Sequence, residues 1–113
     1  MKITENLKNN VCRIYLNGRF DADTCGTVEE SIRENINEGR HKFVLDMESV
    51  SFIASAGLRV VIVIAKELRR NYDGDLHVAS LQPNVNRVFE ISGLDNVLRI
   101  FDDAEAATRG FTE

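Results

Sequence analysis

The chain has 113 residues, 43% hydrophobic and 28% charged, with 14 basic against 18 acidic side chains and a formal net charge of −4. That length holds one domain around one core, and the apolar content excludes wholesale disorder. The acidic balance, zero tryptophan and 7% aromatic content argue against a chain-wide nucleic-acid surface, while one proline and seven glycines exclude a collagen-like or proline-rich chain.

In chain order, residues 2–7 are expected as an edge strand and residues 11–16 as a strand closed by Asn17-Gly18. A helix is predicted over residues 24–37, where Val28, Ile32 and Ile36 line one face and Glu29, Glu30, Arg33 and Glu34 stay in water. Asp23 is its expected N-cap and Gly39 its stop. Residues 41–47, with Phe43-Val44-Leu45, read as a central strand, and 48–53 as a connector. Leu58, Val61, Ile62, Ala65 and Leu68 predict a second helix over 56–72, ended by Asp73-Gly74. A strand over 76–80 then implies a parallel crossover. A third helix is expected over 84–92, stopped by Gly93, then a short strand over 97–101. A terminal helix over 102–108 would be capped by Asp102 or Asp103. The sum is a layered α/β domain, a mixed sheet with helices packed against it.

Several function classes find no support in the residues. Met1-Lys2-Ile3-Thr4-Glu5 leads into no apolar run of a secretory signal, and the apolar stretch at 53–65 is too short to span a bilayer. A cytoplasmic protein without membrane insertion is therefore expected. Cys12 and Cys25 are expected as reduced thiols, and His41 and His77 stand outside zinc-ligand spacing, so neither metal nor cofactor is expected. Neither a G-x-x-x-x-G-K-[ST] loop nor a G-x-G-x-x-G turn is present to cradle phosphates.

The most informative segment is Val50-Ser51-Phe52-Ile53-Ala54-Ser55-Ala56-Gly57-Leu58. It places Ser55 at or beside a helix N-cap, with Ala56 and Gly57 leaving its surroundings open. From the residues alone two readings stand. Ser55 caps the helix, worth about 1 kcal/mol, or it carries an esterified phosphate in the positive field of the helix end. A nucleophilic role needs a base in reach; His41 begins a strand, and His77 is expected as a half-buried sheet residue. Asp21 and Asp23 form a turn and cap, or Asp21 shares a rim with Ser55; Asp46 joins that rim or ends its strand. Cys25 is expected buried or half-buried, Arg69 and Arg70 as a solvated helix end, and Arg87 as a surface residue or docking contact.

Four segments in order carry a family resemblance: Gly18-Arg19-Phe20-Asp21, Phe43-Val44-Leu45-Asp46, the stretch from Val50 to Leu58, and that from Pro83 to Leu94. Over about residues 11–107 the chain resembles the STAS domain, specifically the bacterial anti-sigma-factor antagonists. The resemblance implies a single STAS domain across residues 1–113, with a mixed central sheet of about four or five strands and about four helices. It implies that Ser55 is the regulatory phosphorylated serine, two positions before the glycine. The unphosphorylated form would bind an anti-sigma factor that is itself a serine kinase and release the sigma factor. Phosphorylation of Ser55 would dissociate that complex, and a PP2C-type phosphatase would reset it. The partner-binding rim would comprise Asp21, Asp23, Ala54, Ser55, Ala56 and Gly57. In this role the domain is a substrate and a ligand, not an enzyme. Many members carry an aspartate directly before the serine, where this chain has Ala54. The alternative is a STAS domain docked constitutively in a transport-system subunit or sensory scaffold, with Ser55 a mere cap.

Overall fold

Asn9 and Asn10 both take left-handed backbone, with φ of 52° and 64°, the geometry of a two-residue turn matched to twisted strands. They join strand β1 (Lys2–Lys8) to β2 (Val11–Phe20) in the computed structural model, which describes residues 1–112. Three more strands follow, β3 (Lys42–Ile53), β4 (Asp75–Ala79) and β5 (Ile100–Phe101). The sheet order is β1-β2-β3-β4-β5, with β1 antiparallel to β2 and every other pair parallel. The parallel connections run through helices α1 (Cys25–Asn37), α2 (Ser55–Asn71) and α3 (Pro83–Ile91), and α4 (Ala104–Arg109) closes the fold. Five strands and four helices in layers are what the sequence pattern and the family resemblance lead one to expect.

Strand alternation sorts the side chains onto two unlike faces. Ile14, Leu16, Phe43, Leu45, Leu76 and Val78 point to α1, α2 and α3, and with Ile32, Ile64, Leu68 and Phe89 they form the main core. Each such side chain contributes about 1.5–3 kcal/mol when fully buried. The other face is more polar. Val11, Val44 and Ala79 meet Ala107 of α4 in a small second cluster, beside the buried polar residues Arg13 and His77.

Four larger differences from the sequence expectation stand out, the remaining element ends shifting by one or two residues. Strand β2 does not stop at Asn17-Gly18; it runs to Phe20, with register shifts between Tyr15/Asn17 and Gly18/Arg19 and Gly18 at φ 131°. The extra residue of each shift lies in β3, so β2 keeps Ile14, Leu16 and Phe20 on the core face while the alternation of β3 is re-phased. The expected connector 48–53 is therefore strand, paired to β2 and burying Val50 and Ile53 out of step with Phe43, Leu45 and Met47. Along β3, strand β4 pairs only with Lys42–Asp46. Beyond it, the Gln82 and Asn84 side-chain amides donate to the carbonyls of Glu48 and Ser51, both at 2.8 Å, and so close that edge. The N-cap of α1 is Thr24, not Asp23, because the Asp23 N–H turns back to Asp21 Oδ1 at 3.0 Å. The expected strand over 97–101 shrinks to Ile100–Phe101 behind a 3-10 turn at Leu94–Asn96. Asp103 caps α4 as one of the two expected, accepting from the Ala106 N–H at 2.8 Å.

Helix α4 has six residues, too few to hold itself together in water. Buried side chains from the sheet hold it. Arg13 Nε donates to Thr108 Oγ1 at 2.9 Å, and Arg13 Nη2 lies 3.1 Å from Glu105 Oε1 as an ion pair without hydrogen-bond alignment. His77, expected half-buried, is 1% exposed; its Nδ1–H donates to the Ala107 carbonyl at 2.8 Å, and its ring stacks on Phe111 at 3.7 Å. Lys8 adds an exposed ion pair to Glu105 at 3.3 Å.

Two measurements check this packing. Arg13→Ala removes the buried donor to Thr108 and the ion-pair partner of Glu105 and should cost about 2–3 kcal/mol in urea unfolding, whereas Lys8→Ala should cost under about 0.5. Burial, helped by Glu5 and opposed by Arg40, pushes the Cys12 thiol up to about 11 from an ordinary 9.0. The unfolded chain therefore ionises first, so this contribution is complete below pH 9 and is lost as pH rises toward 11. With a thiol reagent at pH 8, half-buried Cys25 should react on mixing and Cys12 only after unfolding.

Candidate functional site

Strands β2 and β3 end side by side, with Phe20 opposite Ile53. The Ala54 N–H then donates to the Phe20 carbonyl at 2.9 Å and ties the two loops that follow. Ala54, in extended backbone, is the N-cap of α2. Its carbonyl accepts the N–H groups of Gly57 and Leu58 at 2.9 and 3.1 Å. Ser55 is therefore the first helical residue and not the cap, so the capping reading of its hydroxyl does not hold. The residue is exposed, and among the described residues its hydroxyl has no hydrogen-bond partner. Ala54 and Ala56 on either side are half-buried.

Gly57 is buried beneath this surface. A Cβ there would lie 2.8 Å from the Phe20 carbonyl oxygen and 3.0 Å from Ile53 Cγ1 and Phe20 Cδ1. Only a residue without a side chain lets the first turn of α2 close on the end of β2.

The loop after β2 is fixed by its own polar groups. The Asp21 N–H donates to Thr24 Oγ1 at 3.0 Å, and the Thr24 hydroxyl donates to the Arg19 carbonyl at 2.7 Å. The N–H groups of Thr24 and Cys25 bond the Asp21 carbonyl. Partial desolvation raises the Asp21 carboxyl, but the Asp23 N–H, the Arg19 guanidinium and Thr24 outweigh it and hold it below the usual carboxylate range. Asp21 is thus ionised at neutral pH. Arg19 lies with Nε 3.4 Å from Asp21 Oδ2 and its guanidinium 4.1 Å above the exposed Phe52 ring. Asp21 and Ser55 each directly follow one member of the bonded pair Phe20 and Ala54, so the structure brings them to one rim. Asp23 is exposed on the same loop.

Other candidates lie elsewhere. Asp46 neither joins the rim nor ends its strand; it sits inside β3 on the opposite sheet face, accepting from Ser80 Oγ at 2.8 Å and the Glu48 N–H at 3.0 Å. His41 precedes β3 and stacks on Tyr72 beyond the far end of α2, about 25 Å of helix away from Ser55. His77 is buried under α4 on the opposite face. No imidazole therefore serves Ser55 as a base. Cys25 is half-buried, its thiol 3.6 Å from the Ala22 carbonyl. Arg69 pairs with Asp75 at 2.8 Å, while Arg70 and Arg87 are exposed. Among the described residues no three metal-ligating side chains converge, and no helix is long and apolar enough to cross a membrane. Sequence reading missed Thr24 as the organiser of the loop; its D-x-x-T spacing from Asp21 is the signal that marks it. The stacking of Arg19 on Phe52 had no local signal.

Gly57→Ala should destabilise the domain by about 1–3 kcal/mol, read by urea unfolding, because the new methyl meets backbone. Gly26→Ala, on α1 with nothing within 4 Å of the added carbon, should be neutral or stabilising by up to about 1 kcal/mol. Equal losses from both would show that the close approach of α2 is not what Gly57 serves.

Comparison with known proteins agrees with this architecture. The family model of the STAS domain matches residues 2–107. BtrV of Bordetella bronchiseptica, which carries the name of an anti-sigma factor antagonist, is 33% identical over 111 residues, covering 98% of this chain and 95% of BtrV. The crystal structure of TM1081 from Thermotoga maritima, also named in that way, superposes with a TM-score of 0.92 at 20% identity, covering 98% of this chain and 95% of that one. The phosphorylated form of the Bacillus cell fate determinant SpoIIAA shares the fold, with a TM-score of 0.72 at 23% identity over 96% of this chain and 98% of its own. By its sequence and by its five-stranded layered fold, the chain belongs to the STAS-domain family, among relatives that bear the name of anti-sigma factor antagonists.

Proposed function

We propose that this chain is an anti-sigma-factor antagonist, a cytoplasmic binding module of one STAS domain across residues 1–113, switched by phosphorylation of Ser55. Unphosphorylated, it docks an anti-sigma factor that is a serine kinase and so frees the sigma factor; phosphorylation ends the docking, and a PP2C-type phosphatase restores it. The name borne by BtrV over nearly the full chain supports the general role. The observation that carries the switch is Ser55 itself, an exposed hydroxyl without a partner among the described residues, at the start of a 17-residue helix.

The chemistry suits a ligand surface rather than a catalytic one. The rim of Ala54, Ser55 and Ala56 has small side chains, so a partner can approach the backbone closely, and Asp21 and Asp23 supply negative charge beside it. Gly57 acts from below by seating α2. A phosphate on Ser55 adds about −1.5 to −2 charges and a bulky group. The helix end tolerates that charge, so the domain itself stays folded. A docked partner does not tolerate it, because the phosphate enters an interface already holding ionised Asp21, and burying unpaired charge costs several kcal/mol.

Ser55→Ala should keep partner binding within about twofold, and Ser55→Asp should weaken it at least about tenfold, or about 1.4 kcal/mol, measured by calorimetry against the cognate anti-sigma factor. That kinase with ATP should add one phosphate, mapped to Ser55 by peptide mass spectrometry. Equal binding by both variants, or no phosphate on Ser55 in folded protein, overturns the switch and favours constitutive docking.

A further inference from the structure

We propose that Arg59 is the intramolecular partner of a phosphate on Ser55, pairing with it across one turn of α2 and holding the modified side chain along the helix. The inference rests on the reading of Ser55 as the modified residue and adds what the modification does to its surroundings. Ser55 and Arg59 are four residues apart in α2 and both are exposed. Residues at that spacing lie one above the other on the same helical face, with Cβ atoms about 6 Å apart. Helical side chains lean toward the N-terminus, so the long Arg59 side chain leans over the turn that begins with Ser55. An anion N-terminal to a cation at this spacing is also the favoured order.

Charge accounting leaves Arg59 available for that pairing. Arg19 is committed to Asp21 and Phe52, Arg33 to Glu29 and Glu67, and Arg69 to Asp75. Arg59 takes part in no ion pair or side-chain hydrogen bond among the described residues. The neighbours of Ser55 in the first turn, Ala54, Ala56 and Leu58, carry no charge. A phosphate on Ser55 thus faces the Asp21 carboxylate across the rim and the Arg59 guanidinium along the helix. Repulsion from the first and attraction to the second act in the same direction. Phosphorylation then alters the docking surface twice, adding negative charge and withdrawing an exposed cation that a partner would otherwise meet.

The test uses the full chain with phosphoserine placed at position 55 during translation, so that no kinase is needed. Phosphorus NMR follows the second ionisation of the phosphate against pH in the parent, in Arg59→Gln and in Lys66→Gln, an exposed cation two further turns along α2. Loss of the pair should raise the titration midpoint in Arg59→Gln by about 0.2–0.7 pH unit, with Lys66→Gln unchanged. Thermal unfolding of each variant with and without the phosphate gives an independent reading. Phosphorylation should raise the Tm of the parent by about one or two degrees more than that of Arg59→Gln. Identical midpoints in the parent and Arg59→Gln overturn the proposal. A Ser55 that no kinase modifies would instead overturn the switch, leaving the pair measured on the installed phosphate intact.

Discussion

A single backbone hydrogen bond, from the Ala54 N–H to the Phe20 carbonyl, decides where the candidate site of this domain is displayed. It joins the end of β2 to the entry of α2, and Gly57 lets the helix settle onto the same carbonyl. A side chain at Gly57 would push the first turn away and carry Ser55 with it. The long arms of β2 and β3 past the end of β4 serve the same junction, since they hold both loops on one sheet end. Local polar bonds then fix Asp21 without drawing on Ser55. The serine stays unengaged because the cap position belongs to an alanine.

Stability and display are divided between the two ends of the strands. Near the start of β2 and within β4, Arg13 and His77 reach through the polar sheet face to hold α4. Near the end of β2 and β3 lies the Ser55 rim. The main core of α1, α2 and α3 against the sheet separates the two. A chemical change at Ser55 therefore meets surface charge and the helix end, while the buried polar contacts of α4 lie beyond its reach. Such a layout would suit the switch proposed at Ser55, in which the surface changes and the fold does not.

Much of this was legible in the chain because helices advertise themselves by period. Val28, Ile32 and Ile36, and Leu58, Val61, Ala65 and Leu68, marked α1 and α2 to within one or two residues. The strands were harder. Glu48, Ser49 and Ser51 look like a polar connector because the bulges of β3 opposite Asn17 and Gly18 re-phase its alternation, and because one edge of β3 bonds to side chains of Gln82 and Asn84 rather than to a strand. Ser55 was found from its small neighbours, but its exact place could not be. A serine before an apolar helix reads as a cap, and only the backbone of Ala54 shows that the cap lies one residue earlier. His77 was underestimated for a similar reason: its burial comes from α4 and Phe111, some thirty residues away in sequence.

The outer strand β1 is exposed along most of its length, and open strand edges invite pairing with other copies. Its sequence makes the full-length antiparallel match of two such edges unfavourable. That register would set Glu5 against Glu5 and Lys2 against Lys8 at both ends, like charges directly opposite each other. Glu5 is also not free to swing aside, for its carboxylate accepts from the Asn35 amide of α1 at 3.1 Å. The contact that fastens the hairpin to the first helix thereby keeps a repelling charge in the middle of the edge, and the sheet resists growing across molecules by that route.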